Sequence, residues 1–149
     1  RLPEHPLYAT PIPVALSCRV HPGEAEMLTV VEGNRLERFR LEICRVNMMN
    51  QVKRKDIIIR VTDPRLLQLT GGIIQGMSGS PVIQDGRLVG VITHVFVNDP
   101  ERGYGIFAER MLRACGLLSS NYSGTLGGAA INNNAALHHF SPPRTQLSR

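Results

Sequence analysis

Ser78 stands in the hexapeptide GMSGSP (residues 76–81), a small hydroxyl between glycines with a proline close behind. A serine hydroxyl is a weak nucleophile until a base takes its proton, and the oxyanion formed on attack needs donors nearby. Gly76 lets the backbone bend so that its own N–H and that of Ser78 aim into one small space. Gly79 and Ser80 leave room for a substrate backbone, and Pro81 ends the turn. A tight turn between strands calls for the same glycines. The hexapeptide alone therefore leaves nucleophile and turn residue evenly matched.

The histidines that could serve as base are His5, His21, His94, His138 and His139. His94 follows the serine by sixteen residues in a strand-like run, a place for a structural or substrate-contacting side chain rather than the base. His21, in RVHPGE, reads as a loop residue, and His5 lies too near the first residue to be assigned. The adjacent His138 and His139 fall in a low-complexity stretch and do not define a metal site. Asp63 precedes Pro64, which suits a turn initiator as well as an orienting carboxylate. Both readings stay open.

The elements that must position these residues are short strands separated by turns. IPVALSC (12–18), MLTVV (27–31), RLERFRLEICRV (35–46) and DIIIRVT (56–62) read as strands, with EGN (32–34) as a turn and strict alternation from Phe39 to Ile43. MNQVKRKD (49–56) reads as a polar loop, and DPRLLQLTGG (63–72) leads into the glycine-rich stretch. Asp85-Gly86, between VIQ and RLVGVIT, predicts a type I′ hairpin. NDPERG (98–103) reads as a loop. YGIFAERMLRACG (104–116) begins as a strand and ends as a helix capped by Gly116. The pattern predicts an all-β barrel or sandwich with one short C-terminal helix.

Composition narrows the function classes. Hydrophobic residues make up 42% of the 149 and charged ones 19%, an ordinary globular balance able to bury a core without disulfides or metal. The net charge of +5 is scattered, Lys53 and Lys55 are the only lysines, and Trp is absent. Nucleic-acid binding is disfavoured, and QVKRKD (51–56) reads as a solvated loop. No apolar run approaches the ~18–20 residues that span a bilayer. Cys18, Cys44 and Cys115 show no CxxC spacing; Cys18 and Cys44 are expected as buried free thiols. Residues 119–149 contain no acidic side chain and read as a disordered tail and a candidate non-native extension, leaving 1–118 as the folded domain. A chain opening on RLPEHP without Met is expected to be a fragment.

The longer run TGGIIQGMSGSPVIQDGRLVGVITHVFVNDPERGYGIFAERML resembles the C-terminal peptidase domain of the stage IV sporulation protein B family, serine endopeptidases of endospore-forming bacteria. PIPVALSCRVHPGEAEMLTVVEGNRLERFRLEI and VTDPRLLQLTGGI are similar to the same family, so the resemblance covers nearly all of residues 10–117. It implies a chymotrypsin-like fold, here mostly the C-terminal barrel, and a self-cleaving peptidase that needs no metal or cofactor. It also implies an upstream PDZ domain, export to the space between forespore and mother-cell membranes, and cleavage of a membrane-bound partner, stage IV sporulation protein FA. That cleavage releases processing of a late sigma-factor precursor.

Residue by residue, the resemblance matches Ser78 to the nucleophile and Asp63 to an acid that orients the catalytic histidine. It assigns the oxyanion-hole N–H groups to Gly76 and Ser78, and the substrate strand to Thr93, His94, Val95 and Phe96. Gly72 falls at the base of a specificity pocket, and neither it nor Ile73 brings a charge, so small or apolar side chains are expected there. Met77 replaces the aspartate of many trypsin-like enzymes, which disfavours activation by a buried N-terminal ion pair. The family's base lies upstream in a GHxI-like segment with no counterpart in this chain. The fragment is therefore expected to be inactive or nearly so. The competing expectation is a non-enzymatic binding module, a partial barrel that pairs peptides along HVFVND and leaves an apolar face exposed.

Overall fold

The computed structural model describes residues 11–49 and 55–117. Six antiparallel strands close into one barrel. They are β1 (Gly23–Val30), β2 (Leu36–Val46), β3 (Ile57–Val61), β4 (Pro81–Gln84), β5 (Arg87–Phe96) and β6 (Asp99–Phe107), in the ring order β1-β2-β3-β6-β5-β4. The sequence periodicity explains the wall. Along β2, Phe39, Leu41 and Ile43 point inward between Arg38, Arg40 and Glu42, the period-2 alternation of a strand with one dry face. They meet Met27, Ile57, Ile59, Val82, Val89, Ile92 and Phe107 in a single core. Each such side chain contributes roughly 1.5–3 kcal/mol when fully buried. The ring is complete and its apolar interior enclosed, unlike the partial barrel with an exposed apolar face of the competing binding-module expectation.

Turn chemistry fixes the register. Asp85 and Gly86 have φ of 52° and 71°, the two positive values a type I′ turn requires, and β4 pairs with β5 across them. Helix α2 (Ala108–Ala114) follows β6 directly. Past its end, the Gly116 N–H donates to Arg113 O and the Leu117 N–H to Leu112 O, the two bonds of a Schellman cap. Buried Glu109 holds the helix to the turn at Ser17–Arg19, accepting from the Ser17 N–H at 2.7 Å.

Several expectations need correction. IPVALSC is not a strand. Pro11 and Pro13 remove donors that a ladder would use, and only an isolated bridge from Val14 to Leu88 forms before a 3-10 turn at Ser17–Arg19. Cys18 is consequently exposed, while Cys44 is half-buried, and burial pushes its thiol pKa up. NDPERG is mostly strand: the turn shrinks to residues 97–98, and β6 begins at Asp99. Pro100 fits because its role there is to accept, from the Ile73 N–H at 2.7 Å. Asp56, assigned to a polar loop, is fully buried. DPRLLQLTGG carries a helix, α1 (Pro64–Thr70). Residues 50–54, His5, the tail from 119 and its His138 and His139 lie outside the described residues.

Candidate active site

The Ser78 turn is built by bonds that leave particular groups over. It joins α1 to β4. Inside it the Met77 N–H donates to Ile74 O, the Ser80 N–H to Met77 O, and the Gly79 N–H to Ile92 O at 2.7 Å. Ile92 donates back to Ser80 O, so the turn is stitched to β5 immediately before the start of β4. Gly76 and Gly79 have φ of 98° and 90°, conformations that glycine adopts without strain. Buried Met77 plugs the turn from below, its Sδ 3.5 Å from the Ile74 N–H.

The remaining groups face solvent. Ser78 is exposed, and among the described residues the N–H groups of Gly76 and Ser78 have no acceptor. Two idle donors flanking an exposed hydroxyl are what an oxyanion would bind. The Ser78 hydroxyl donates to the Thr93 carbonyl at 3.1 Å. No imidazole or carboxylate among the described residues is hydrogen-bonded to it.

β5 supplies the neighbouring edge. Its pairing with β4 ends at Val91, while β6 continues to pair with it through His94, Val95 and Phe96. From Thr93 onward the Ser78 side of β5 faces no strand of the barrel. Thr93 is fixed from its other side, its Oγ1 donating to Tyr104 O at 3.2 Å. His94 is exposed, and its ring makes no hydrogen bond among the described residues. Val95 is 40% exposed, and Phe96 stacks on Tyr104 with centroids 4.5 Å apart.

Asp63 stands apart from this group. Its Oδ1 accepts from the N–H of Arg65 and Leu66 at the start of α1, and its Oδ2 from the Arg40 N–H at 3.1 Å. It is an N-cap followed by Pro64 at the first helical position. Asp-Pro with Gly71 past the last turn is a helix signal that the strand-dominated pattern masked. His21 is also remote in bonding terms, its Nε2 2.8 Å from Asp85 Oδ2 at the β4–β5 turn. Among the described residues no cluster of three or more metal-ligating side chains forms. Gly72 backs onto β6: a Cβ there would lie 2.3 Å from Pro100 O.

Residues 2–112 match the family described as SpoIVB peptidase S55. The chain belongs to that family. Among solved structures, it is similar to the M. tuberculosis protease Rv3671c in its active form, at 20% identity and a TM-score of 0.51 over 82% of this chain and 53% of that one. The inactive form of a serine-to-alanine mutant of Rv3671c gives 16% identity and a TM-score of 0.52 over 77% and 56%. This chain thus spans about half the length of the structures it matches. Comparison with curated proteins gave no match. At these identities the likeness establishes the fold, a chymotrypsin-like barrel. Within the SpoIVB peptidase match lie the Ser78 turn, α1 and the whole β5–β6 ribbon.

Proposed function

We propose that the protein is a serine endopeptidase in which Ser78 attacks the scissile carbonyl and forms an acyl-enzyme. One observation carries this reading: an exposed hydroxyl flanked by two backbone N–H groups that have no acceptor among the described residues, beside a strand edge that no described strand pairs. Attack transfers the hydroxyl proton to a base and puts negative charge on the former carbonyl oxygen, where Gly76 and Ser78 donate to it. Collapse expels the amine, which leaves with the proton held by the base. Water, giving a proton to the freed base, then attacks the acyl group and restores the serine. The base comes from outside the described residues, and the described part alone hydrolyses little. A peptide segment pairs along Thr93–Phe96, and the Ser78 hydroxyl leaves Thr93 O when the base engages it.

Family membership supports a role in sporulation. In that role the enzyme cleaves itself and a membrane-associated regulator similar to stage IV sporulation protein FA, in the space between forespore and mother cell, and so triggers sigma-factor processing. The test is fluorophosphonate labelling of the intact protein, with Ser78→Ala as control. Labelling at Ser78, with hydrolysis falling at least about 10⁴-fold in the variant, is expected. Label on another residue, or undiminished hydrolysis by Ser78→Ala, would refute the assignment.

A second reading, peptide capture without turnover, has one observation in its favour: the resting bond of Ser78 to Thr93 O, with no base on it among the described residues. Peptide binding that survives Ser78→Ala, with no labelling of the unmutated protein, would select it.

A further inference from the structure

A cleft lies past the end of β4 that is farther from the Ser78 turn. It is lined by Ala15, Arg19, Gln84, Asp85, Arg87 and Val89. The four residues of β4 hold the two places roughly 13 Å apart along the strand. Each wall of the cleft is braced by the backbone. Arg19 ends the 3-10 turn, whose Ser17 N–H donates to Glu109 at 2.7 Å, and just before that turn the Ala15 N–H donates to Leu88 O at 2.9 Å. Arg87 opens β5 and pairs with Gln84 across the hairpin turn. Gln84 is buried, and its amide is spent on the backbone of His21 and Glu24. Asp85 Oδ2 is taken up by His21 Nε2 at 2.8 Å. The two arginines are left over: among the described residues neither guanidinium has a hydrogen bond or an ion pair.

We infer that this cleft is a carboxylate-binding site in which Arg19 and Arg87 clamp one acidic side chain of a bound polypeptide. Guanidinium forks on fixed backbone match a planar carboxylate, and the buried Ala15 and Val89 offer apolar surface to its methylene stem. The space, about 210 Å³, holds one such side chain and falls below the ~300–1,000 Å³ of an ordinary small-molecule site. The Asp85 charge stays at the cleft and repels a dianionic phosphate about twice as strongly as a carboxylate, which favours the carboxylate. Binding here does not depend on the peptidase reading. A polypeptide held in the cleft leaves Ser78 and the far end of β5 free.

The test titrates the intact protein with acetyl-Gly-Glu-Gly-amide and follows the arginine Nε–H resonances by NMR. Saturable shifts at Arg19 and Arg87 are expected, with acetyl-Gly-Gln-Gly-amide binding at least about 10-fold more weakly. Arg19→Gln and Arg87→Gln should each weaken the glutamate peptide by about 10-fold. Arg87→Lys should weaken it too, because it keeps the charge and loses the fork. Arg45→Gln, which removes an exposed charge from β2, should leave binding within about 2-fold. Equal binding of the two peptides would overturn the inference, as would equal losses in Arg45→Gln and Arg87→Gln. Inorganic phosphate displacing the peptide better than acetate would overturn the choice of a carboxylate. Glu4 is the one acidic residue of the chain outside the described segments. Binding that tightens in Glu4→Gln would overturn a partner as the occupant in favour of the chain's own carboxylate; unchanged binding supports the partner. Arginine shifts in a protein that fails to label at Ser78 would keep this site and refute the peptidase reading alone.

Discussion

Two polar groups of this barrel are built on opposite rules. Around Asp56 nearly everything is paired. Its Oδ2 accepts from the Phe107 N–H at 2.9 Å, and its backbone bonds to Asn47 and Gly105. Its Oδ1 lies 2.8 Å from Arg110 Nη1, a contact held by charge rather than by hydrogen-bond alignment. Around Ser78 the turn is equally well stitched, yet the N–H groups of Gly76 and Ser78 are left over among the described residues, and the hydroxyl is exposed. A buried polar group without partners costs stability, so the first cluster closes on itself. Donors left idle at the surface cost little because water satisfies them, and in the proposed mechanism they are the ones that meet a substrate oxygen. The comparison separates a bolt from a site by bonding alone.

The sharpest way to break it is at the bolt. Asp56→Ala leaves Arg110, which is 32% exposed, without its buried counter-ion and the Phe107 N–H without an acceptor. Losing one partner of a buried pair typically costs about 3–5 kcal/mol. Urea unfolding should show a loss of that order, while the folded fraction still labels at Ser78. A loss below about 1 kcal/mol, the level of a surface pair, would mean that the buried pair is no bolt.

The two clusters also differ in how far the sequence disclosed them. The Ser78 turn is local in the chain: hexapeptide, hairpin and strand follow one another. The turn, its glycines and the adjoining strand are therefore legible from neighbouring residues, while the roles of nucleophile, donors and substrate edge come from the family resemblance. The Asp56 bolt joins β3 to β6 and α2 across about fifty residues, and nothing in KRKDIII distinguishes a buried carboxylate from a solvated one. Strand periodicity was legible wherever one face is dry, as in β2. It failed at the N-terminal segment, where prolines deny the ladder its donors, and at β6, where Pro100 and Gly103 look like loop residues. Their real reason is contact: Pro100 accepts from Ile73, and Gly103 makes room for it. Close approach between distant segments leaves only a glycine in the sequence, and a glycine has many causes.

Asp63 tests whether a residue can be moved between the two classes. Its oxygens are occupied by three backbone N–H groups, which places it with the bolts. Asp63→Ala should cost about 1 kcal/mol in thermal unfolding, the usual loss for an N-cap. Asp63→Asn keeps a good cap and removes the charge, so stability and kcat should both hold. A fall in kcat at unchanged Tm would instead assign the charge to the orientation of the base, and would put a site residue inside a saturated cluster.

The smallest effect expected is at His21 and Asp85, a pair that belongs to neither class because both side chains are mostly exposed, 54% and 71%. The Asp85 carboxylate at 2.8 Å from Nε2 favours the imidazolium, as does the Pro22 carbonyl 2.9 Å from Nδ1, and together they raise the His21 pKa above its ordinary value. A pKa raised on folding adds stability that is complete below the unfolded value of about 6.5 and is lost as pH rises through the folded value. Arg19 and Arg87 line the same cleft as Asp85, so the carboxylate keeps a positive surround after His21 discharges. Asp85→Asn is a clean probe, since Asn tolerates the positive φ of 52° at this position. The difference in Tm between the unmutated protein and this variant should be largest below about pH 6, shrink toward pH 8, and fall with added salt. A difference independent of pH would assign the clasp to Gln84. That buried amide donates to His21 O at 2.9 Å and Glu24 O at 3.2 Å, and accepts from the His21 N–H, bonds that carry no titratable charge.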